Sequence, residues 1–259
     1  MNNTPQQRSF LRSIASVWYR HFRVYTSNFL SNGFPPFFEP LIFLAGIGLG
    51  FGKIIQEMDG VPYLQFLASG LFLSTAMMTS AYECTFGSFI RLEYEKIYDG
   101  ILAAPVTLTE MVLGEILWAG TKGLFFSFAV VSVITLFGIF STPKVLFIPL
   151  VGFLTGVIFA CISLFITSLV KNIDNFSFYM TGFLSPMFFL SGVVFPLSNL
   201  PSWLRILAEV FPLTHTLRIG RAILFWKTQT LLWDSLYSIG IILIFGLLSI
   251  QGIKKRLVQ

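Results

Sequence analysis

The chain has 259 residues, of which 55% are hydrophobic, 17% aromatic and only 11% charged, and its mean hydropathy is +0.78. Soluble domains carry about 25% charged residues, so a surface this poor in charge excludes a dissolved globule. The apolar content excludes disorder, two cysteines exclude a disulfide scaffold, and the length fits about six membrane spans of roughly 20 residues with their connections.

The net charge of +5 does not point to nucleic acid, because the basic residues stand at the ends of apolar runs, where they orient helices in a bilayer. Residues 1–7 are polar, and no basic stretch leads into a short apolar core with a small-residue cleavage site, so no cleaved signal peptide is expected. Residues 8–28 read as an amphipathic helix. Arg12, Ser16, Arg20 and Arg23 recur at three- and four-residue spacing, while Phe10, Ile14, Val17 and Trp18 gather on the opposite side. A basic face against an apolar face describes a helix lying in the headgroup plane.

Six apolar stretches follow. The first covers 34–52, opening with Pro35-Pro36 and closing on Gly46, Gly48, Gly50 and Gly52. The second, 63–88, follows a turn at Asp59-Gly60, and the third, 111–139, is interrupted by Glu115 and Lys122. The fourth, 145–169, carries Gly152 and Gly156 at the spacing that lets helix backbones approach closely. The fifth is 176–195 and the sixth 231–250, with Lys254, Lys255 and Arg256 closing the chain. With both termini inside, the inner segments hold Arg8, Arg12, Arg20, Arg23, Arg91, Lys96, Lys171, Lys254, Lys255 and Arg256, against Lys53 and Lys144 in the short outer loops. The excess of inner Lys and Arg selects an even number of spans with cytoplasmic ends.

Two connections are unusual. Between the second and third spans, residues 91–105 place Arg91, Glu93, Glu95, Lys96 and Asp99 among Leu92, Tyr94, Ile97, Tyr98, Ile101 and Leu102, ending at Pro105. This reads as one short amphipathic helix on the inner face, suited to docking against another protein. Residues 196–230 contain Pro196, Pro201 and Pro212, yet also Trp203, Leu204, Ile206, Leu207 and Phe211, too apolar for a solvated loop. Pro201 sits where a helix starts, Pro212 breaks it, and a second helix follows from Leu213 to Trp226. Both are expected to dip back into the outer leaflet, where irregular backbone must be covered by protein or line a cavity.

Chemistry inside the chain is sparse. The only Gly-Lys pair, Gly52-Lys53, is followed by Ile54, and Ile47 stands where a nucleotide-binding loop needs its first glycine. An ATP-driven step therefore belongs to a partner. His21 and His215 lie on opposite sides of the expected membrane, and Cys84 and Cys161 lie in separate spans, so no metal site is expected. No paired His and carboxylate is visible in a span, and no Ser with a nearby base, which leaves no constellation for an intramembrane enzyme. Glu83, Glu115 and Lys122 are the anomalies, since an ionisable group at a helix centre costs about 2.5–3.5 kcal/mol on insertion scales. Lys122 follows Glu115 by seven residues on one helical face, and a bridge to Glu115 or to Glu83 would neutralise it. Such a bridge either staples the bundle or lines a path for a polar head group.

These pieces resemble the type-2 ABC transporter permeases. The resemblance is carried by Leu190-Ser191-Gly192-Val193-Val194-Phe195-Pro196-Leu197, Leu200-Pro201, Phe211-Pro212-Leu213-Thr214-His215 and Arg221 on the outer side. On the inner side it is carried by Tyr94-Glu95, Leu102-Ala103-Ala104-Pro105-Val106 and Glu110, then Leu113-Gly114-Glu115. Within the family the chain is most similar to NodJ-like permeases, through Glu39-Pro40-Leu41-Ile42 with its glycine series, Asp59-Gly60-Val61, and Trp118-Ala119 before Lys122.

The resemblance implies one permease domain over 1–259. It implies an all-α membrane protein with six transmembrane helices, an interfacial helix (8–28), a cytoplasmic coupling helix (91–105) and two re-entrant helices before the last span. It implies a homodimer in a bacterial inner membrane, working with two copies of a cytoplasmic ATPase that binds ATP and Mg, while this chain binds no cofactor. The cargo implied is a lipo-oligosaccharide, a polysaccharide or a lipid-linked glycan. A hydrophobic drug or a lipid as cargo, or a non-transporting assembly subunit, are the alternatives.

Overall fold

The computed structural model describes residues 9–34, 37–38, 42–52, 54–140, 142–225 and 230–258. Of the features expected above, Arg8, Pro35-Pro36, Glu39–Leu41, Lys53, Trp226 and Lys227 lie outside them. Helix α1, Phe10–Ser27, is followed by the short α2, Phe29–Gly33, and by helical turns over 44–51 (α3), which include a π-helical stretch at Leu44–Gly48. The two-residue strands Glu57–Met58 (β1) and Val61–Pro62 (β2) pair antiparallel. Asp59 and Gly60 connect them with φ of 55° and 77°, the left-handed pair that a tight hairpin demands.

Helix α4 runs from Tyr63 to Tyr94, and α5 is the six-residue Ile97–Leu102. Helix α6, Leu108–Leu136, begins three residues before the apolar run because Thr107 and Glu110 form a capping box, in which Glu110 accepts the Thr107 amide at 2.7 Å. Helix α7 spans Pro143–Leu169, and α8 covers 176–190 with a π-helical turn at Met180–Leu184. The chain ends with α9 (Ser202–Val210), α10 (Pro212–Phe225) and α11 (Leu231–Val258).

Among the described residues four helices, α4, α6, α7 and α11, are long and apolar enough to cross a membrane. The fifth expected span, 176–195, is helical only to Leu190. At 1.5 Å per residue its helical part is about 22 Å long, short of a hydrocarbon core of about 30 Å. The sixth runs on to Val258, so Lys254, Lys255 and Arg256 belong to the helix rather than to a tail.

Three helices form the centre: α4, α6 and α7. Their backbones nearly touch, because a Cβ on Gly123 of α6 would lie 2.7 Å from the Gly152 carbonyl oxygen of α7, and Gly156 lies beside it. Lipid tails provide no hydrophobic drive between spans, so close approach and polar links hold them together. Ser80 donates to the Ala119 carbonyl at 2.9 Å, Ser127 to Phe72 at 2.6 Å and Thr167 to Cys84 at 2.7 Å. Helix α1 lies on α6 by the same device: Gly114 of α6 leaves room for the buried Val17.

Gly123→Leu is expected to leave no monodisperse protein on size-exclusion chromatography in detergent. Gly240→Leu, where an added Cβ meets nothing within 4 Å, is expected to elute like the parent chain.

Candidate functional site

The ionisable residues singled out in the second and third spans converge. Glu83 lies in a π-helical turn of α4, Glu83–Gly87, and Arg91 in a second one, Ile90–Tyr94. These wider turns slow the winding of the helix and bring residues eight apart onto one face. Arg91 then bridges two carboxylates, donating from Nη1 to Glu83 at 2.8 Å and from Nη2 to Glu115 of α6 at 2.7 Å. Lys122 of α6 donates to the other Glu83 oxygen at 2.8 Å, so its partner is Glu83 and not Glu115. His21 of α1 places Nε2 2.9 Å from Glu115, whose side chain is only 1% exposed. Two carboxylates and two fixed cations thus neutralise one another, and the imidazole ties the interfacial helix to the same cluster. Ser88 adds a hydrogen bond from Arg91 at 3.2 Å.

The inner segment differs from the single helix expected over 91–105. Arg91–Tyr94 are the last turn of α4, held there because Arg91 is drawn inward by two carboxylates and Leu92 is buried. Lys96 adopts φ of 51°, in the left-handed region that reverses a chain, and α5 starts afresh after it. Arg91 and Tyr98 face the interior, with Tyr98 packed in a cluster that includes Leu92, Met111 and Ile253. Burial, and then the Glu115 carboxylate, push the Tyr98 phenol well above its ordinary value, so it stays neutral.

Tyr94, Glu95, Lys96, Asp99 and Pro105 form an exposed knob. Glu93 is partly withdrawn: Lys96 lies 3.7 Å away, and Arg256 of α11 grips it through Nε at 3.0 Å and Nη2 at 2.9 Å. Arg256 also donates to the Thr167 carbonyl and covers the Phe89 ring. The last turns of α4, α7 and α11 are therefore tied together directly behind the knob.

On α1, Arg12 and Arg23 are exposed and Arg20 partly so, on the side turned away from α6. Trp18 was expected with the lipid-facing residues. Instead its Nε1 donates to Thr121 of α6 at 2.9 Å and its ring meets Trp118 edge-on.

The opposite end has its own cluster. His215 of α10 contacts Asp234 of α11 through Nδ1 at 2.7 Å and the Glu209 carbonyl of α9 through Nε2 at 2.8 Å. Thr230 donates to Asp234 at 2.7 Å, and Arg218 pairs with Glu209 and lies 3.5 Å from Asp234. A buried His–carboxylate pair is thus present here and at His21–Glu115, in each case with the His on a helix outside the four long ones. Both ring nitrogens of His215 are engaged, which leaves none for proton transfer and makes the pair a clamp.

Gly192 and Arg221, neighbours only in the folded chain, meet at 2.8 Å through the Gly192 carbonyl, where Gly192 has φ of 92°. Arg221 also donates to Ser69 at 3.0 Å and stacks on Phe66. Pro196 precedes a short 3-10 turn, Pro201 precedes α9 and Pro212 opens α10. Trp203, Ile206 and Val210 of α9 point away from the protein. Among the described residues no group of three His, Cys, Asp or Glu could hold a metal ion.

Removing one member of a buried ionic cluster leaves an uncompensated charge, typically about 3–5 kcal/mol. Arg91→Leu is therefore expected to lower the melting temperature and the yield sharply. Adding Glu115→Gln to it, which removes the one stranded carboxylate while Glu83 keeps Lys122, is expected to recover much of the loss in a thermal-shift measurement.

The sequence matches known proteins over most of its length. A family model described as ABC-2 type transporter matches residues 12–225. The chain is 36% identical over 206 residues to "Nodulation protein J" of Sinorhizobium fredii, covering 80% of this chain and 79% of that one. It is 30% identical over 249 residues to the protein of the same name in Bradyrhizobium diazoefficiens, covering 94% of both. It is also 25% identical over 203 residues to "Inner membrane transport permease YadH" of Escherichia coli, with 78% and 79% coverage. A multi-pass helical bundle with these matches is a membrane transport subunit rather than a catalytic one, and the chain belongs to the ABC-2 type transporter family.

Proposed function

We propose that this chain is the permease of an ATP-driven exporter of the bacterial inner membrane, working as a homodimer with two copies of a cytoplasmic ATPase. Its cargo in this reading is an amphipathic or glycan-containing molecule, and the "Nodulation protein J" relatives of nodulating bacteria favour a lipo-oligosaccharide. Six spans are completed by the stretches 34–52 and 176–195, both termini lie in the cytoplasm, and α9 and α10 are re-entrant elements that shape the outer exit.

The observation that carries this reading is the construction of the knob. Tyr94, Glu95, Lys96 and Pro105 offer an exposed surface, while the residues behind it are locked to three long helices by Arg91 and Arg256. A solvated loop needs no such backing; a lever does. Force applied by a nucleotide-driven partner would reach α4 directly, α6 through the Arg91–Glu115 pair and α1 through His21. That is the rigid-body type of switching transition, in which packed elements move together. In this scheme Arg91 and Tyr98 transmit the force from inside, and the basic face of α1 with Arg12, Arg20 and Arg23 rests on anionic headgroups.

Glu95→Lys combined with Tyr94→Ala changes only exposed side chains. The variant is expected to fold with the parental melting temperature, but to lose both co-purification with the ATPase and export. Unchanged association would remove the lever role. The chain purified alone is expected to show no ATP turnover.

A further inference from the structure

Along the middle of α4, Thr75, Thr79 and Tyr82 follow one another at four- and three-residue spacing, on one face of a 32-residue helix. A Thr hydroxyl in a helix ordinarily bonds back to the carbonyl four residues earlier. Thr85 does so to Ala81, Thr121 to Leu117 and Thr155 to Val151. The side-chain hydroxyls of Thr75, Thr79 and Tyr82 make no hydrogen bond to another described residue. Thr75 and Thr79 are partly buried and Tyr82 is half exposed, so the stripe offers its hydroxyls to whatever fills the space beside it, and a polar occupant would satisfy them.

The three residues line a cavity of about 420 Å³ bounded by Phe43, just before α3, and by α4, α6 and α8, a size typical of small-molecule sites. Its walls include Phe43 and Phe126, and Phe43 meets Phe188 edge-on at 6.3 Å. Lys122 reaches the same cavity, but its ammonium is bound to Glu83 at 2.8 Å and sits near the Tyr25 ring. An anionic group would have to displace that carboxylate. A group bearing neutral hydroxyls would not, because Thr and Tyr hydroxyls both donate and accept, and the flat apolar faces of a sugar ring suit aromatic walls.

We propose that this groove seats the neutral glycosyl part of an amphiphile, with Thr75, Thr79 and Tyr82 binding its hydroxyls and Phe126 its ring face. That the amphiphile is exported cargo rests on the exporter reading; the binding itself does not.

The test uses the full chain in phosphatidylcholine nanodiscs without any ATPase, with radiolabelled dodecyl maltoside as probe. Saturable binding is expected, displaced by unlabelled dodecyl maltoside and not by dodecyl phosphate. Thr75→Val with Thr79→Val, near-isosteric changes, is expected to weaken binding about tenfold through two lost hydrogen bonds. Thr79→Ser, which keeps the hydroxyl, retains it. The single Thr79→Val serves if the double variant does not fold. Parental affinity in the Val variants, or equal displacement by dodecyl phosphate, would overturn the assignment. Because no ATPase is present, these outcomes are independent of whether the knob variants lose their partner.

Discussion

Charge in a low-dielectric interior must be neutralised where it stands. Two carboxylates and two fixed cations lie along the inner halves of α4 and α6, and none of them is far enough from the apolar bundle to be solvated alone. Their only inexpensive arrangement is one in which the two helices are in a fixed register, with Arg91 between Glu83 and Glu115. The position of α1 follows, because His21 completes the coordination of Glu115. So does the length of α4, which cannot end at residue 88 while Arg91 is being drawn back into the bundle.

Buried ion pairs contribute little net stability compared with apolar packing. What they do is exclude alternatives: a one-residue slip of α6 against α4 would strand a charge. The glycine contact between Gly123 and Gly152 acts in the same sense on α6 and α7, since only one register brings the small residues face to face. Electrostatics on one side of α6 and steric fit on the other make α4, α6 and α7 a single body. The knob grows directly from its inner end.

Much of this was legible in the residues. Apolar length located the four long helices, Pro201 and Pro212 marked the starts of α9 and α10, and the intramembrane charges flagged the cluster. Three things were hidden. The π-helical turns at 83–87 and 90–94 leave the hydrophobic pattern almost unchanged, so a continuous α4 and a separate α5 looked like one amphipathic helix. The pairing of His215 with Asp234 joins residues 19 apart on different helices, and no spacing rule connects them. Trp18 was placed toward lipid because amphipathicity measures which face is apolar, not whether lipid or another helix covers it.

The two ends of the bundle are latched differently, and this bears on where it can move. The latch at the knob end joins α1, α4 and α6 and, through Arg256, the last turns of α7 and α11. The latch at the opposite end joins α9, α10 and the start of α11 through His215, Asp234 and Arg218. Neither includes α3 or α8, which also carry π-helical turns, at 44–48 and 180–184. Phe43, just before α3, and Phe188 of α8 form the far wall of the hydroxyl-lined cavity. In the proposed lever scheme a force delivered at the knob would meet a centre that cannot shear without stranding charge, and the wall provided by Phe43 and α8 would yield on the side away from the Gly123–Gly152 contact.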